Sequence, residues 1–354
     1  MVVRVYLKQA WNLMKQNPLF STLYIVGTGI SIVMTMVIAI VYYVRLAPVY
    51  PETNRMRTLV VKSAKMTNDE STHSSNISYA MLKDWFYSLE SAEVSTGVSG
   101  TSYARVTNDK EEIPTYARYT DENFFRVFPL VFLEGKPFTE ADRRSGIHNV
   151  VLTDSYAQQL FGTTKGVVGK NFLMDYTNVK VVGVVKSGSF LTPDSYAQVY
   201  LPYSCRDGYD DEGSHWALGG YRVYILMKES KSVTDVQDEV LELVRKFNVS
   251  DMGDGWKLDL VGQPELYWHS TFRLWSNVAV DWGRVIWMFV GIFMVLLFVP
   301  AFNLSGMISA RMERQLPDLG IRKAFGASRR RLLVQIIWEN LLLTGLGTLL
   351  GLVI

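Results

Sequence analysis

Two uncharged runs, Phe20–Val44 and Val285–Ser309, each 25 residues long, narrow the choice of fold more than any other feature of this chain. At 1.5 Å per residue each rises about 37 Å as a helix, enough to cross a hydrocarbon layer of about 30 Å with modest tilt. Basic residues follow the second run at once: Arg311, Arg314, Arg322, Lys323 and Arg329–Arg331. A third apolar stretch then runs from Leu332 to Ile354, interrupted only by Gln335, Glu339 and Asn340. The pattern is that of a multi-span membrane protein with a basic cytoplasmic loop. The alternative reading of the third stretch is a buried or interfacial amphipathic helix. A span with Glu339 turned toward protein is preferred, because a carboxylate facing hydrocarbon is costly. On that reading the chain stops with a helix in progress.

The first run is too long for the apolar part of a signal peptide and meets Arg45-Leu-Ala-Pro48 where a cleavable leader would have small residues. It reads as a retained span. Basic residues concentrate in the N-terminal stretch and the 310–331 loop, which puts both inside and residues 46–280 outside. Arg45, Arg273 and Arg284 oppose this, but long side chains at the outer ends can snorkel to headgroups. Ahead of the first span, Val3, Leu7, Ala10, Trp11 and Met14 form one apolar stripe with Arg4, Lys8 and Lys15 off it. Asn17-Pro18 then breaks the pattern, as expected for a helix lying in the cytoplasmic interface. The resulting order is an interfacial helix (1–19), a first span (20–45), an external segment (46–280), a second span (281–309), a cytoplasmic loop (310–331) and the start of a third span (332–354). A mean hydropathy of +0.08 fits a few spans joined to a large polar insert.

Within the external segment, strand and helix patterns alternate. Met56–Val61, Val94–Val98, Asn178–Val185, Ala197–Leu201 and Tyr221–Met227 read as strands. Ile77–Leu89, Asp154–Phe161 (capped by Asp154, ended by Gly162) and Ser232–Phe247 read as helices. The expected fold is α+β: a large mixed α/β extracytoplasmic domain flanked by transmembrane helices. Ser204–Gly220, rich in Gly and Asp, reads as a mobile or partner-facing loop. Tyr267, Trp268 and Trp275, shortly before the second span, read as interface anchors. Trp216 and Trp256 read as core.

Catalytic patterns are scarce. His73, His148, His215 and His269 have no ligand spacing, and no HExxH or GxSxG pattern occurs. The segment from Thr164 to Asn171 lacks the first Gly and the final Ser or Thr of a phosphate-binding loop. The single cysteine, Cys205, excludes an internal disulfide. Neither a catalytic residue, a bound cofactor nor a metal site is expected in this chain. The basic loop, fixed between two spans, suits charge anchoring and partner docking rather than nucleic acid.

That loop carries the most specific motif. Pro317 can start a short helix with Asp318 in its first turn, Arg322 and Lys323 near its other end, and Gly326 to stop it; Ser328 can cap the helix that follows. The stretch Asp318-Leu-Gly-Ile-Arg-Lys-Ala-Phe-Gly-Ala-Ser328 resembles the loop between the second and third spans of FtsX-domain permeases of ATP-binding-cassette systems. Asp318 stands where that family usually has Glu, which preserves the charge. Asn149–Gly162, Val167–Lys170 and Val179–Val185 resemble the MacB-like periplasmic core.

The resemblance implies an FtsX-type helical membrane domain cut off before a fourth span, a dimer with a second permease subunit, identical or different, and a separate cytoplasmic ATPase that uses ATP and Mg. It implies a place in the bacterial inner membrane and motion of the external domain in export, efflux or mechanotransmission. A periplasmic adaptor or a cell-wall hydrolase would be a further partner. Asp318, Leu319, Ile321, Arg322, Lys323, Phe325, Gly326 and Ser328 would then form the ATPase-coupling site. Because these proteins do not pass solutes through a channel, Pro300 is expected as a kink, Asn303 as an interhelical hydrogen bonder and Glu339 as a structural group. A regulator of a cell-wall hydrolase and a membrane-anchored sensor without an ATPase are the alternatives.

Overall fold

The computed structural model describes residues 11, 15, 18–100, 102–107, 112–210, 216–250, 255–296, 298, 317, 320–321, 324–325 and 328–353. The chain divides into two compact units, residues 43–281 and residues 1–42 with 282–354. In chain order the elements are α1 (Pro18–Leu46), β1 (Thr58–Val61), β2 (Ala64–Thr67), β3 (Thr72–Ile77), α2 (Tyr79–Asp84), β4 (Ala92–Ser99), β5 (Ser102–Thr107), β6 (Glu112–Thr120) and α3 (Phe124–Val127). Next come β7 (Phe132–Gly135), α4 (Glu140–Arg144), β8 (Asn149–Thr153), α5 (Asp154–Phe161), β9 (Asn171–Met174), β10 (Thr177–Val185), β11 (Val199–Pro202) and β12 (Leu218–Gly219). The last are β13 (Tyr221–Met227), α6 (Val233–Val249), β14 (Lys257–Asp259), β15 (Glu265–Leu266), α7 (Trp282–Leu296) and α8 (Arg329–Val353).

Two sheets build the larger unit. The first follows the order β14-β2-β3-β13-β1-β15, with β12 on β3 and β4 on β13. Strand β1, between β13 and β15, is buried at every position because both faces are covered. Leu59 and Val61 face a core with Met81, Leu82 and Phe86 and with Val236, Val240 and Val244 of α6. Val60 faces a second core with Phe124, Phe125, Phe128, Tyr224 and Tyr267. The second sheet runs β7-β10-β8-β11-β6-β5-β9, and β9 also pairs with β10. That extra pairing closes six strands on themselves around a third core of Val106, Val150, Leu152, Val181, Val199 and Tyr156, and leaves β7 on the outside. Closure removes two of the edges that an open sheet would expose.

Local chemistry explains where several elements begin and end. Ser232 and Asp235 form a reciprocal capping box at the start of α6, whose Val236, Val240, Val244 and Phe247 make one buried stripe. The helix expected over Ile77–Leu89 is shorter. Ile77 is consumed by β3, where it pairs with Leu218 and Tyr221, so the helix starts after Ser78, whose Oγ accepts from the Met81 amide at 3.0 Å. It ends at Asp84, and a 3-10 turn, Phe86–Ser88, follows. Asp154 is the first residue of α5 rather than its cap; Thr153 takes that position, and the Asp154 carboxylate accepts instead from the Ser187 amide and hydroxyl.

Two expectations near the second span change. Tyr267 is 4% exposed and belongs to the second core, so it is no interface anchor. Arg273 does not snorkel: its side chain is buried, donating to Glu265 Oε1 at 2.7 Å and to the Val261 carbonyl. Trp275 is exposed, whereas Trp216 and Trp256 pack against the first core.

In the helical unit, Ser21–Leu46 and Ile336–Val353 are long and apolar enough to cross a membrane, and α7 is a shorter apolar helix. α1 and α8 meet through small residues. A Cβ on Gly347 would lie 2.7 Å from Thr28 Cβ, and one on Gly351 would lie 2.8 Å from the Gly29 carbonyl oxygen. Tyr24 and Thr344 share a hydrogen bond of 2.9 Å beside this contact. Small residues let helix backbones approach closely where no water is available to drive apolar association.

Candidate functional site

The chain leading into α8 presents an apolar knob. Pro317, Gly320, Ile321 and Ala324 are helical, and the Phe325 amide donates to the Ile321 carbonyl at 3.0 Å. Ile321 and Phe325 are four residues apart and therefore share a helix face. They are 57% and 88% exposed. Two large apolar side chains at this spacing are what an amphipathic turn uses to seat in a partner's groove. Ser328, also exposed, precedes Arg329, where α8 begins. Asp318, Leu319, Arg322, Lys323 and Gly326 lie outside the described residues, as do Pro300 and Asn303. Glu339 is within α8, and its side chain is outside the described set.

Sequence reasoning missed two buried carboxylates that join the sheets of the larger unit. Asp121 follows β6 of the second sheet and reaches β4 of the first. It accepts from Thr96 Oγ1 at 2.7 Å, the Gly97 amide at 2.8 Å, Tyr87 OH at 2.6 Å and the Asn123 amide at 2.9 Å. Burial outweighs these donors and pushes its carboxyl up to about 6. Arg143 of α4 is tied to the same region, donating to Glu122 at 2.8 Å and to Tyr203 OH at 2.8 Å.

Asp194 sits in the turn between β10 and β11 and meets cations from the first sheet. Lys62, next to β1, lies 3.4 Å away, and Arg222 of β13 lies 3.2 Å away. Burial pushes this carboxyl up, but the Lys62, Arg222 and Arg118 charges prevail and hold it well below the usual carboxylate range. A distinctive signal for either aspartate was absent from the sequence: the partners that join them to the other sheet lie 24 to 132 residues away along the chain, and neither has motif spacing.

Surface clefts offer binding shape without a catalytic constellation. One of about 490 Å³ lies between Trp85, Leu89 and the acidic side of α6, including Asp238 and Glu242. Another of about 330 Å³ holds His148, Asp175, Cys205 and Asp207. Burial pushes the Cys205 thiol up to about 12, which makes it a poor nucleophile. Among the described residues no three His, Cys, Asp or Glu side chains are grouped to hold a metal ion.

A mixed α/β unit, reached through a long apolar helix and followed by apolar helices with an exposed apolar turn between them, defines a membrane protein with a large extramembrane domain. The pattern of the MacB-like periplasmic core domain matches residues 20–243, and that of the FtsX-like permease C-terminal region matches residues 277–354. The chain belongs to the MacB-like, FtsX-type family of ABC transporter permeases. It is 23% identical over 220 residues to the macrolide export ATP-binding/permease protein MacB of Bdellovibrio bacteriovorus, covering 61% of this chain and 32% of that protein. It is 22% identical over 249 residues to the uncharacterized ABC transporter permease YvrN of Bacillus subtilis, covering 65% and 54%. To the pyoverdine export ATP-binding/permease protein PvdT of Pseudomonas entomophila it is 25% identical over 233 residues, covering 64% and 33%. The chain thus spans about a third to a half of the length of these curated relatives. Among solved structures, the periplasmic region of MacB from Actinobacillus actinomycetemcomitans is 16% identical with a TM-score of 0.40, covering 56% of this chain and 88% of that one. The extracellular domain of the transporter YknZ from Gram-positive bacteria is 16% identical with a TM-score of 0.39, covering 56% and 99%.

Proposed function

We propose that this chain is the permease subunit of an ABC transporter, in which ATP binding and hydrolysis by a separate cytoplasmic ATPase, with Mg, drive motion of the residue 46–280 domain for export or efflux. The subunit is multi-pass in the bacterial inner membrane, N-terminus inside, residues 46–280 in the periplasm, and works as a dimer with a second permease subunit. The ATPase docks on the 310–331 loop. Ile321 and Phe325 insert into its surface, while Asp318, Arg322 and Lys323 fix the orientation and Gly326 and Ser328 turn the chain into α8. The observation that carries this reading is the exposed apolar pair Ile321 and Phe325 on one helical face. A push or pull at this knob is passed along the chain to α8 and so to the membrane helices.

The test is copurification of the protein with its candidate ATPase from membranes, with turnover measured in nanodiscs. Phe325→Ala and an Asp318→Ala/Arg322→Ala pair are expected to reduce ATPase association and stimulation at least tenfold while membrane insertion persists. Full association and stimulation in both variants would overturn the reading and favour an anchored sensor. ATP-dependent capture of a cell-wall hydrolase with no substrate movement would instead favour a mechanotransmitter.

A further inference from the structure

The segment that leaves α1 is fastened to the rest of the larger unit at a buried turn, beside which Asn54 Nδ2 donates to the Arg126 and Val127 carbonyls at 3.3 and 3.1 Å. Glu52, six residues beyond α1, is 1% exposed, and its Oε1 accepts from Ser195 Oγ at 2.7 Å and from Tyr267 OH at 2.9 Å. Its other oxygen pairs with Arg55, which donates to the Val44 carbonyl in the last turn of α1 at 3.0 Å and lies 5.0 Å from the Tyr267 ring centre. Nearby, Tyr50 OH donates to the Lys186 carbonyl at 2.8 Å and accepts from the Val131 amide at 3.2 Å.

The same 186–196 stretch holds both sheets. Asp194 binds Lys62 and Arg222 of the first sheet, and Arg118 of β6 in the second sheet donates to the Pro193 carbonyl at 2.7 Å and the Tyr196 carbonyl at 3.0 Å. Three parts therefore converge on one turn: the exit of α1 and each of the two sheets, the first also through Tyr267 beside its short strand β15. Buried ion pairs of this kind are weak stabilisers compared with apolar packing of the same volume, because desolvation consumes most of the attraction. Their directional bonds do something packing does not, which is to hold one relative placement of the parts they join.

We propose that the Thr192-Pro193-Asp194-Ser195 turn is a clasp that makes the α1 exit segment and both sheets move as one body, with Glu52 and Ser195 as its positioning residues. This inference rests on the coupled-permease reading, since only a pulled α1 gives the clasp a load to carry. With the clasp closed, displacement of α1 is delivered to the whole external domain. With it open, α1 can move while the sheets stay behind.

The test is made on the full chain in nanodiscs, without nucleotide or ATPase, by pulsed electron spin resonance in a Cys205→Ala background. Spin labels replace Arg45 at the end of α1, Leu133 on β7 and Leu241 on α6; the last two are 54% exposed. The unmodified clasp is expected to give narrow distance distributions for all three label pairs. Glu52→Gln with Ser195→Ala should broaden the 45–133 and 45–241 distributions at least twofold and leave 133–241 unchanged, because Asp121 still joins the sheets. Ser195→Ala alone, which removes one donor from Glu52, keeps the test available if the double variant does not fold and should broaden the same two pairs. Broadening of all three pairs marks general loosening and overturns the proposal, as does broadening of none. Full ATPase association and stimulation in the Phe325→Ala and Asp318→Ala/Arg322→Ala variants of the separate docking experiment would sink the permease reading and leave these distances untouched.

Discussion

The two units of this protein hold their parts together by different means. In the larger unit, two sheets meet across buried carboxylates whose partners are fixed by direction and charge: Asp121 among neutral donors, Asp194 among cations. In the helical unit, α1 and α8 meet through Gly29, Gly347 and Gly351, and what holds them is closeness. The difference follows from the solvent each unit is built for. Water rewards burial of apolar area and allows an expensive polar junction to be afforded by the cores around it. Lipid gives no reward for apolar burial, which leaves packing and a few hydrogen bonds.

The largest effect should come from removing Asp194. Asp194→Ala leaves Lys62 and Arg222 facing each other without their counterion, and breaking a buried pair from one side costs on the order of 3–5 kcal/mol. For a unit of this size that corresponds to a fall in Tm of roughly 6–20 °C in purified protein. Because the native carboxyl is held below its ordinary value of 3.8, its contribution is present above that pH and is lost only as the solution becomes more acidic. Between pH 4 and 7 the gap between native protein and Asp194→Ala should stay level. A gap that narrows across this window would mean that the cations do not control the site.

Asp121 should respond in the opposite sense. Its folded carboxyl is pushed from 3.8 up to about 6, so the folded state binds the extra proton and stability falls as pH rises from about 4 toward 7. The contribution lost across the window is on the order of 3 kcal/mol. Asp121→Asn removes that titration while keeping the side chain's shape. The Tm difference between native protein and Asp121→Asn should therefore move against the native protein by roughly 6–10 °C between pH 4 and pH 7. A flat difference would mean that the donors from Tyr87, Thr96 and Gly97 balance burial, and the two aspartates would then be variations on one design.

In the helical unit, Gly347→Leu tests closeness directly. Its Cβ alone would come within 2.7 Å of Thr28 Cβ and 3.0 Å of the Ile25 carbonyl, so α1 and α8 must separate or shift. Overpacking of this kind costs about 1–3 kcal/mol. Cysteine crosslinking between positions 24 and 344 in a Cys205→Ala background should fall severalfold in the variant, whereas Gly345→Leu, where an added Cβ meets open space, should leave it unchanged. Equal loss in both variants would break the claim that small residues set the contact.

How much of this was readable in the sequence follows the same division. The apolar helices are legible because lipid demands a simple, local pattern: a run of sufficient length without charge. The capped helix α6 is legible because Ser232, Asp235 and the Val236-Val240-Val244 stripe are all local. The mixed α/β character emerged from similar runs, but strand order and the closure of the second sheet did not, since β9 pairing with both β5 and β10 is a fact of three dimensions. Tyr267 misled for a related reason. Its position near an apolar run resembles an interface anchor, yet Glu52, 215 residues away, supplies a buried acceptor for its hydroxyl. The polar junctions were invisible because a lone Asp in a turn looks the same whether it faces water or three cations. In the 310–331 loop, Ile321 and Phe325 were expected as site residues from the motif, and their exposure on one helical turn is what the structure adds.

The smallest effect separates the two units most cleanly. Tyr24 and Thr344 form the hydrogen bond that accompanies the glycine contact, at 2.9 Å and with both groups on facing helices. If direction mattered here as it does around Asp194, Tyr24→Phe would cost what a buried polar junction costs in the larger unit. Interhelical hydrogen bonds in membranes are worth much less, about 0.6 kcal/mol on average, because separated helices find other partners for the same groups. Tyr24→Phe should therefore lower Tm by only about 1–3 °C and leave the crosslink between α1 and α8, measured from a cysteine pair that spares Gly29, Gly347 and Gly351, close to that of the native protein. A loss comparable to that of Asp194→Ala would show the helical unit to depend on a directional polar contact after all, and the contrast between the units would have to be redrawn around Tyr24.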